Sequence, residues 1–335
     1  MRLHRRTVNG SLLAAALGSL GPLGWAGAAR GQPAPPAQTV IWSGFPAGGL
    51  GDQVTRPLLE RLKGRWPGTL ILDSKPGAGG RIAADFVKRA APDGATLLQV
   101  PSSPMSIYPH TYGKKLGYDP LADFVPVTPL ASYTISLSVG PGVPAEVRTV
   151  PDLVRWARAN PEKANYGIPA PGSVPHLIGM LFERGSGAPF KRIPYKGGAP
   201  LLQDLLGGQV PIAFNVTSEV LTHVKSGRLR SLAVASPQRW AALPDVPTLA
   251  ELGYKDIAAV EFLGWYAPAK TPPDLVKRLI AAVQEALRST EMQEVFARYG
   301  LLAVAEDAEA FAARVKNEVA AWGPVVKATG FTPDD

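Results

Sequence analysis

Short apolar runs alternate with amphipathic stretches along almost the whole chain, and glycine-rich turns mark many of the boundaries between them. Thr39-Val-Ile-Trp42 has the length and character of a buried strand, Phe45-Pro-Ala-Gly-Gly49 is a turn, and Asp52 opens a helical stretch to about Lys63. The pattern repeats at once: Thr69-Leu-Ile-Leu72 leads into Pro76-Gly-Ala-Gly-Gly80, and helical spacing follows from Ile82 to Arg89. After the turn Ala91-Pro-Asp-Gly94, Thr96-Leu-Leu-Gln-Val100 is a third strand, ending in the polar loop Pro101-Ser-Ser-Pro104. Val125 to Val139 is rich in β-formers and reads as one long strand or two broken ones, able to pass from one domain into another.

The same grammar restarts at Val150. A helix from Asp152 to Ala159 precedes the short strand Asn165-Tyr-Gly167, and a Gly/Ser turn through Gly172-Ser173 leads into a helix that begins near His176. Arg192 to Tyr195 is a strand, Lys196-Gly-Gly198 a turn, and Ala199 to Leu206 a helix. Strands at Val210–Phe214 and Leu229–Ala235 enclose a helix at Ser218–Ser226, and Phe262–Ala267 is a strand that returns toward the first half. Periodic helices at Pro273–Arg288, Glu291–Tyr299 and Glu309–Ala328 finish the chain. Alternation of this kind predicts an α/β fold with two mostly parallel sheets flanked by helices. Two halves that aim glycine turns at a common edge predict two lobes and a cleft between them. The expected lobes are residues 38–136 together with 263–335, and residues 137–262.

A strand feeding a glycine turn feeding a helix gathers unpaired backbone N–H groups at the positive end of a helix dipole, a point suited to anions. Neither early turn is a dinucleotide fingerprint or a Walker A loop, which disfavours nucleotides. Asp52 has two readings, an anchor for a ligand amino group or a favourable charge at a helix start.

Composition narrows the chemistry. The 335 residues include no cysteine, which excludes disulfides, thiol nucleophiles and cysteine metal sites. The formal charge is +8, but Arg2, Arg5, Arg6 and Arg30 precede any acid, leaving a surplus of four elsewhere. That surplus, without a basic run or interleaved aromatics, argues against nucleic acid. The positive start, the apolar Ser11–Trp25 and the small residues after it read as a secretory signal over residues 1–31, with Arg5-Arg6 leaving both the general and the twin-arginine export routes open. The expected location is therefore the periplasm, with the signal removed.

Catalysis finds little support. No His, Asp or Glu spacing resembles a metal site, and no cofactor is expected. His110 and His223 have bland surface and helix-end readings, whereas His176 sits at a helix start beside a glycine turn, either as a structural hydrogen-bonding residue or as a ligand contact. Gly172-Ser-Val-Pro-His176 is not a nucleophile elbow, and Ser173 and His176 are too close in a tight turn to face each other productively.

Taken in order, Pro46-Ala-Gly-Gly49 with Asp52, Lys75-Pro-Gly-Ala-Gly-Gly80, Ile193-Pro-Tyr-Lys-Gly197, Asp204-Leu-Leu-Gly-Gly-Gln-Val210 and Leu243-Pro-Asp-Val-Pro-Thr248 make the chain resemble the Bug-type receptors, the periplasmic solute-binding proteins of tripartite tricarboxylate transporters. The resemblance runs from about Thr39 to Phe331. It implies a two-lobed periplasmic binding protein, type II-like, that closes on a small organic acid held largely by backbone groups and water. The matching ligand positions are Phe45, Pro46, Ala47, Gly48, Gly49, Asp52, Ser102, Ser103, Gly172, Ser173 and His176. Pro169 and Pro171 depart from the family pattern and remove N–H donors from the second-lobe turn, and Arg81 and Asn215–Ser218 also depart from it. These departures bear on the ligand and leave the fold untouched.

The expected function is that of a non-catalytic, monomeric receptor that delivers a small carboxylate to membrane transporter subunits. A sensory receptor that presents its closed form to a sensor kinase is the alternative, and a hydrolase using Ser173 and His176 stands behind both.

Overall fold

The computed structural model describes residues 34–333, so the signal read in residues 1–31 lies outside the described residues. The first half of the chain contributes β1 (Gln38–Ser43), α1 (Leu50–Leu62), β2 (Thr69–Ser74), α2 (Arg81–Lys88), β3 (Thr96–Pro101), α3 (Ser102–Ser106), α4 (Tyr108–Thr111) and β4 (Phe124–Tyr133). The second contributes β5 (Ile135–Val139), α5 (Val150–Ala159), β6 (Asn165–Ile168), α6 (Val174–Ser186), β7 (Lys191–Pro194), α7 (Gly198–Leu206), β8 (Ile212–Val216), α8 (Thr217–Lys225) and β9 (Arg230–Val234). The chain ends with β10 (Glu261–Pro268), α9 (Pro273–Leu287), α10 (Thr290–Arg298), β11 (Leu302–Ala303) and α11 (Ala308–Thr329).

Two sheets result, in the orders β2-β1-β3-β10-β4-β11 and β7-β6-β8-β5-β9. β1 pairs in parallel with β2 and β3, and β6 with β7 and β8. β10 runs against β3 and β4, and β5 against β8 and β9, so each sheet admits one reversed strand at the same place in its order. The two-residue β11, which the sequence pattern is too short to signal, adds a second reversed strand at one edge.

The stretch left open as one strand or two is two. β4 and β5 belong to different sheets and are separated by Thr134 alone. Thr134 is fully buried; its carbonyl accepts from the Thr217 N–H (3.0 Å) and hydroxyl (2.9 Å), and its own hydroxyl donates to the Ala259 carbonyl (3.3 Å). The outgoing and returning connections are thereby tied together at the point where the chain changes sheet.

β5 and β10 are buried along their whole length, as strands covered on both faces must be. The edge strand β2 instead alternates exposed and half-buried positions. Local chemistry fixes the helix starts: at α5 the Thr149 hydroxyl accepts from the Asp152 N–H (3.2 Å) while the Asp152 carboxylate accepts from the Thr149 N–H (3.0 Å), a reciprocal capping box. Ser102, read as loop, is the first residue of α3, because the chain turns helical directly from β3. α11 packs on β4, α3 and α6, and the carbonyl of Ala328 near its end accepts from Arg184 on α6 (2.7 Å). The last helix therefore touches both halves.

Candidate functional site

Gly48 takes a left-handed φ of +87°, which reverses the chain between β1 and α1. Its N–H donates to the Asp52 carboxylate (2.9 Å), which also pairs with Arg56, so Asp52 is engaged within its own turn. The Leu50 N–H, the first of α1, donates across the molecule to Glu219 Oε1 at 3.1 Å. Two donors of the predicted anion turn are thus taken by carboxylates of the chain itself.

Glu219 comes from the first turn of α8 and is buried. Its carboxyl is seated between two glycines: a Cβ on Gly49 would lie 2.9 Å from Oε1, and one on Gly198 only 2.0 Å from Oε2. Glycine at those positions is what leaves room for the carboxyl. Oε2 is buried and accepts no hydrogen bond. Burial pushes the carboxyl up to about 7, with the Leu50 N–H pulling the other way. The starts of α1, α7 and α8 all converge on it, and their dipoles also favour the charged form.

Glu261, the first residue of β10, faces the same space. Its Oε1 accepts from the hydroxyls of Ser102 (3.1 Å) and Ser103 (2.7 Å). Burial pushes this carboxyl up to about 7 as well, and Glu318 adds to the rise while the two serines oppose it. The Ser103 oxygen also accepts from the Val174 N–H at the start of α6 (3.1 Å), joining the two halves.

In the second half, the Gly172 N–H donates to His176 Nδ1 (2.9 Å), and Nε2 stands 3.1 Å from an Arg192 guanidinium nitrogen. His176 is fully buried, with the Phe331 ring edge-on at 5.4 Å. The Ser173 hydroxyl donates to the Ala170 carbonyl (2.7 Å) and not to His176. Ser173 and His176 therefore form no nucleophile–base pair.

Between these groups lies a cavity of ≈ 50 Å³. That is space for a few waters. Of the residues expected at the site, Phe45, Pro46, Gly49, Ser103 and Ser173 line it. Ala47, Gly48, Asp52, Ser102, Gly172 and His176 do not: Asp52 and His176 serve their own turns, and Ser102 acts on the cavity through Glu261. The Pro76–Gly80 turn stands behind the wall, with Gly80 against Phe45 and the Gly79 carbonyl accepting from Tyr108 (3.1 Å). Arg81 stacks on the ring of Tyr112, 3.7 Å from its centroid, and is also absent from the lining.

Sequence reasoning missed Gln99, Tyr133, Glu219 and Glu261, all of which line the cavity. A signal for two of them was present: Gln99 interrupts the apolar run Leu97 to Val100 and Glu261 opens an otherwise apolar strand, and buried polar groups of that kind carry information. Among the described residues no group of His, Asp and Glu side chains is arranged to hold a metal ion. None of the lining residues is basic.

Residues 54–331 match the family described as the tripartite tricarboxylate transporter family receptor, TctC. The chain is 33% identical to Protein BugT of Bordetella pertussis over 298 residues, which is 89% of this chain and 90% of that protein. The periplasmic binding protein BugD has a closely similar structure, with a TM-score of 0.82 at 31% identity over 88% of this chain and 98% of that one. Rpa4515 of R. palustris, solved with adipate, also gives 0.82, at 30% identity and with coverage of 88% and 98%. The chain belongs to the tripartite tricarboxylate transporter receptor family, whose members bind solutes and are not enzymes.

Proposed function

We propose that the mature chain is a periplasmic receptor that closes on a small organic acid and delivers it to the membrane subunits of a tripartite tricarboxylate-type transporter. The observation that carries this reading is a cavity lined by strand-to-helix turns of both halves and bridged by bonds across it. Leu50 N–H to Glu219 (3.1 Å), Val174 N–H to Ser103 (3.1 Å) and Ser218 hydroxyl to Gln53 (2.8 Å) all join one half to the other. Contacts of this kind can form only when the halves approach, and opening breaks them together, which is the hinge motion a capture-and-release receptor uses. On this reading the lobes are close to residues 38–136 with 263–335 and residues 137–262, with the crossings moved by two residues to the points where the chain changes sheet, after Thr134 and before Glu261, and Thr134 is the hinge. Phe45, Pro46, Gly49, Ser103 and Ser173 are ligand contacts, the leader in residues 1–31 is removed on export, and the receptor is a monomer. The adipate held by Rpa4515 supports a carboxylic acid as the ligand.

Ligand binds only the folded protein and so raises its melting temperature by mass action. A thermal-shift screen of mono-, di- and tricarboxylates, aromatic acids, amino acids and sugars tests the reading. Stabilisation by at least one acid and by no sugar is expected; stabilisation by sugars alone overturns it.

A further inference from the structure

The cavity holds a buried acceptor and a buried donor that the protein leaves unused, the first against Gly198 at the start of α7 and the second against Gly51 in the first turn of α1. The acceptor is Glu219 Oε2, which has no hydrogen-bond partner while Oε1 is held by Leu50. The donor is the side-chain nitrogen of Gln99. The Trp265 indole N–H, which can only donate, is 2.9 Å from Gln99 Oε1, and the Thr55 hydroxyl donates to the same oxygen. This fixes which end of the amide is oxygen and leaves Nε2, also buried and without a partner, as the free end. A Cβ on Gly51 would lie 2.6 Å from Gln99 Nε2, just as one on Gly49 would lie 2.9 Å from Glu219 Oε1. The two groups therefore flank a single turn of helix.

Their surroundings decide which ligand matches. A plain carboxylate meets a turn whose Gly48 and Leu50 donors are occupied by Asp52 and Glu219, and a lining that carries Glu219 and Glu261 with no basic side chain. A negative ligand is repelled by these carboxyls as far as they are ionised, whereas a positive one both is held by them and draws them into the charged form. We infer that the ligand carries an ammonium next to its carboxylate, as an amino acid does, with Glu219 Oε2 accepting from the ammonium and Gln99 Nε2 donating to the carboxylate. Glu219 is then a residue that sets specificity. It occupies the anion seat at the helix starts and converts it into a seat for a cation.

This inference rests on the receptor reading above and is tested so that the two can fail separately. Calorimetric titration of the mature protein with matched pairs of probes, adipate with 2-aminoadipate, succinate with aspartate and propionate with alanine, isolates the amino group. The amino member of at least one pair is expected to bind about ten- to a hundredfold more tightly than its partner, the range of a hydrogen bond to a charged group. Glu219→Gln is expected to abolish that ratio, weakening the amino acid while leaving the plain acid unchanged or tighter. Equal or tighter binding of the plain acids to the unaltered protein overturns the inference and leaves the receptor reading standing, a comparison that does not depend on how the variant folds. A ratio that survives Glu219→Gln in a folded variant also overturns it. Failure of acids with and without the amino group to bind overturns both.

Discussion

The turn from β1 into α1 and the turn from β6 into α6 hold equivalent places in the two sheets, each leaving a strand flanked by two parallel neighbours. They are satisfied in different ways. In the first, the Gly48 and Leu50 N–H groups donate to carboxylates, one local and one supplied by Glu219 from 169 residues away. In the second, Pro169 and Pro171 have no N–H to offer, Gly172 donates to Nδ1 of His176, and Val174 donates to the Ser103 hydroxyl oxygen. The first turn therefore behaves as an anion site already filled, and the second as one closed off. A fold that repeats a strand–turn–helix unit does not repeat its chemistry: the backbone provides the donors, and side chains from elsewhere decide whether any remain for a ligand.

The largest effect expected from this asymmetry is on stability as a function of pH. Glu219 and Glu261 both face the cavity, and burial pushes each from 4.5 up to about 7. A carboxyl whose folded value is raised holds its proton more firmly in the folded state. Its contribution is complete below about 4.5 and is lost as pH rises through about 7. The ligand-free protein should lose up to about 3 kcal/mol per group between pH 5 and pH 8. Both groups should contribute, since the hydroxyls of Ser102 and Ser103 oppose the rise of Glu261 as the Leu50 N–H opposes that of Glu219, and neither opposition cancels the effect of burial. Urea titrations across this range should show the fall, and Glu261→Gln and Glu219→Gln should each flatten it in part. Stability that is constant or rises from pH 5 to pH 8 contradicts this account of the cavity.

The elements that build the two turns were legible in the sequence because they depend on local pattern. The return strand read at Phe262–Ala267 is Glu261–Pro268, and the helix read at Pro273–Arg288 is Pro273–Leu287. The glycine turns were found for the same reason. What filled them was not legible, because Glu219 meets Leu50, and Glu261 meets Ser102 and Ser103, only after strands distant in sequence are brought side by side. Gly198 illustrates the limit: the sequence reads it as the last residue of a glycine turn, whereas in the structure it is the floor of a seat for a carboxyl. The position of His176 beside a glycine turn fits both a structural and a ligand role, and only the folded chain shows its ring accepting from Gly172.

A smaller effect is expected at that floor. Gly198→Ala would place a methyl 2.0 Å from Glu219 Oε2 and 2.5 Å from its Cδ, so the carboxyl must leave and the Leu50 bond must break. Overpacking of this kind costs about 1–3 kcal/mol. Adding Glu219→Ala removes the collision, so the double variant should lose less than the two single changes combined, with a coupling of about 0.5–3 kcal/mol measured by chemical denaturation. Strictly additive losses would mean that Gly198 is not what shapes the seat.

The smallest effect belongs to Asp52, the acid of the first turn that the cavity does not use. Its carboxylate accepts from Gly48 at 2.9 Å and pairs with Arg56, whose side chain is 61% exposed. An exposed pair of this kind contributes little, and asparagine keeps an oxygen that can accept from Gly48. What Asp52→Asn removes is a negative charge in the first turn of α1, worth at most about 1 kcal/mol of stability. Affinity for the acids tested should be unchanged or slightly tighter, because the lost charge does not line the cavity and its only long-range influence on an anion is repulsive. Melting curves and calorimetric titration of the variant beside Glu219→Gln make the comparison direct, since both remove one negative charge near the start of the same helix. If Asp52→Asn loses tenfold in affinity for an amino acid while Glu219→Gln loses none, the ammonium sits on Asp52, and the first turn binds its ligand from the solvent-facing side of α1.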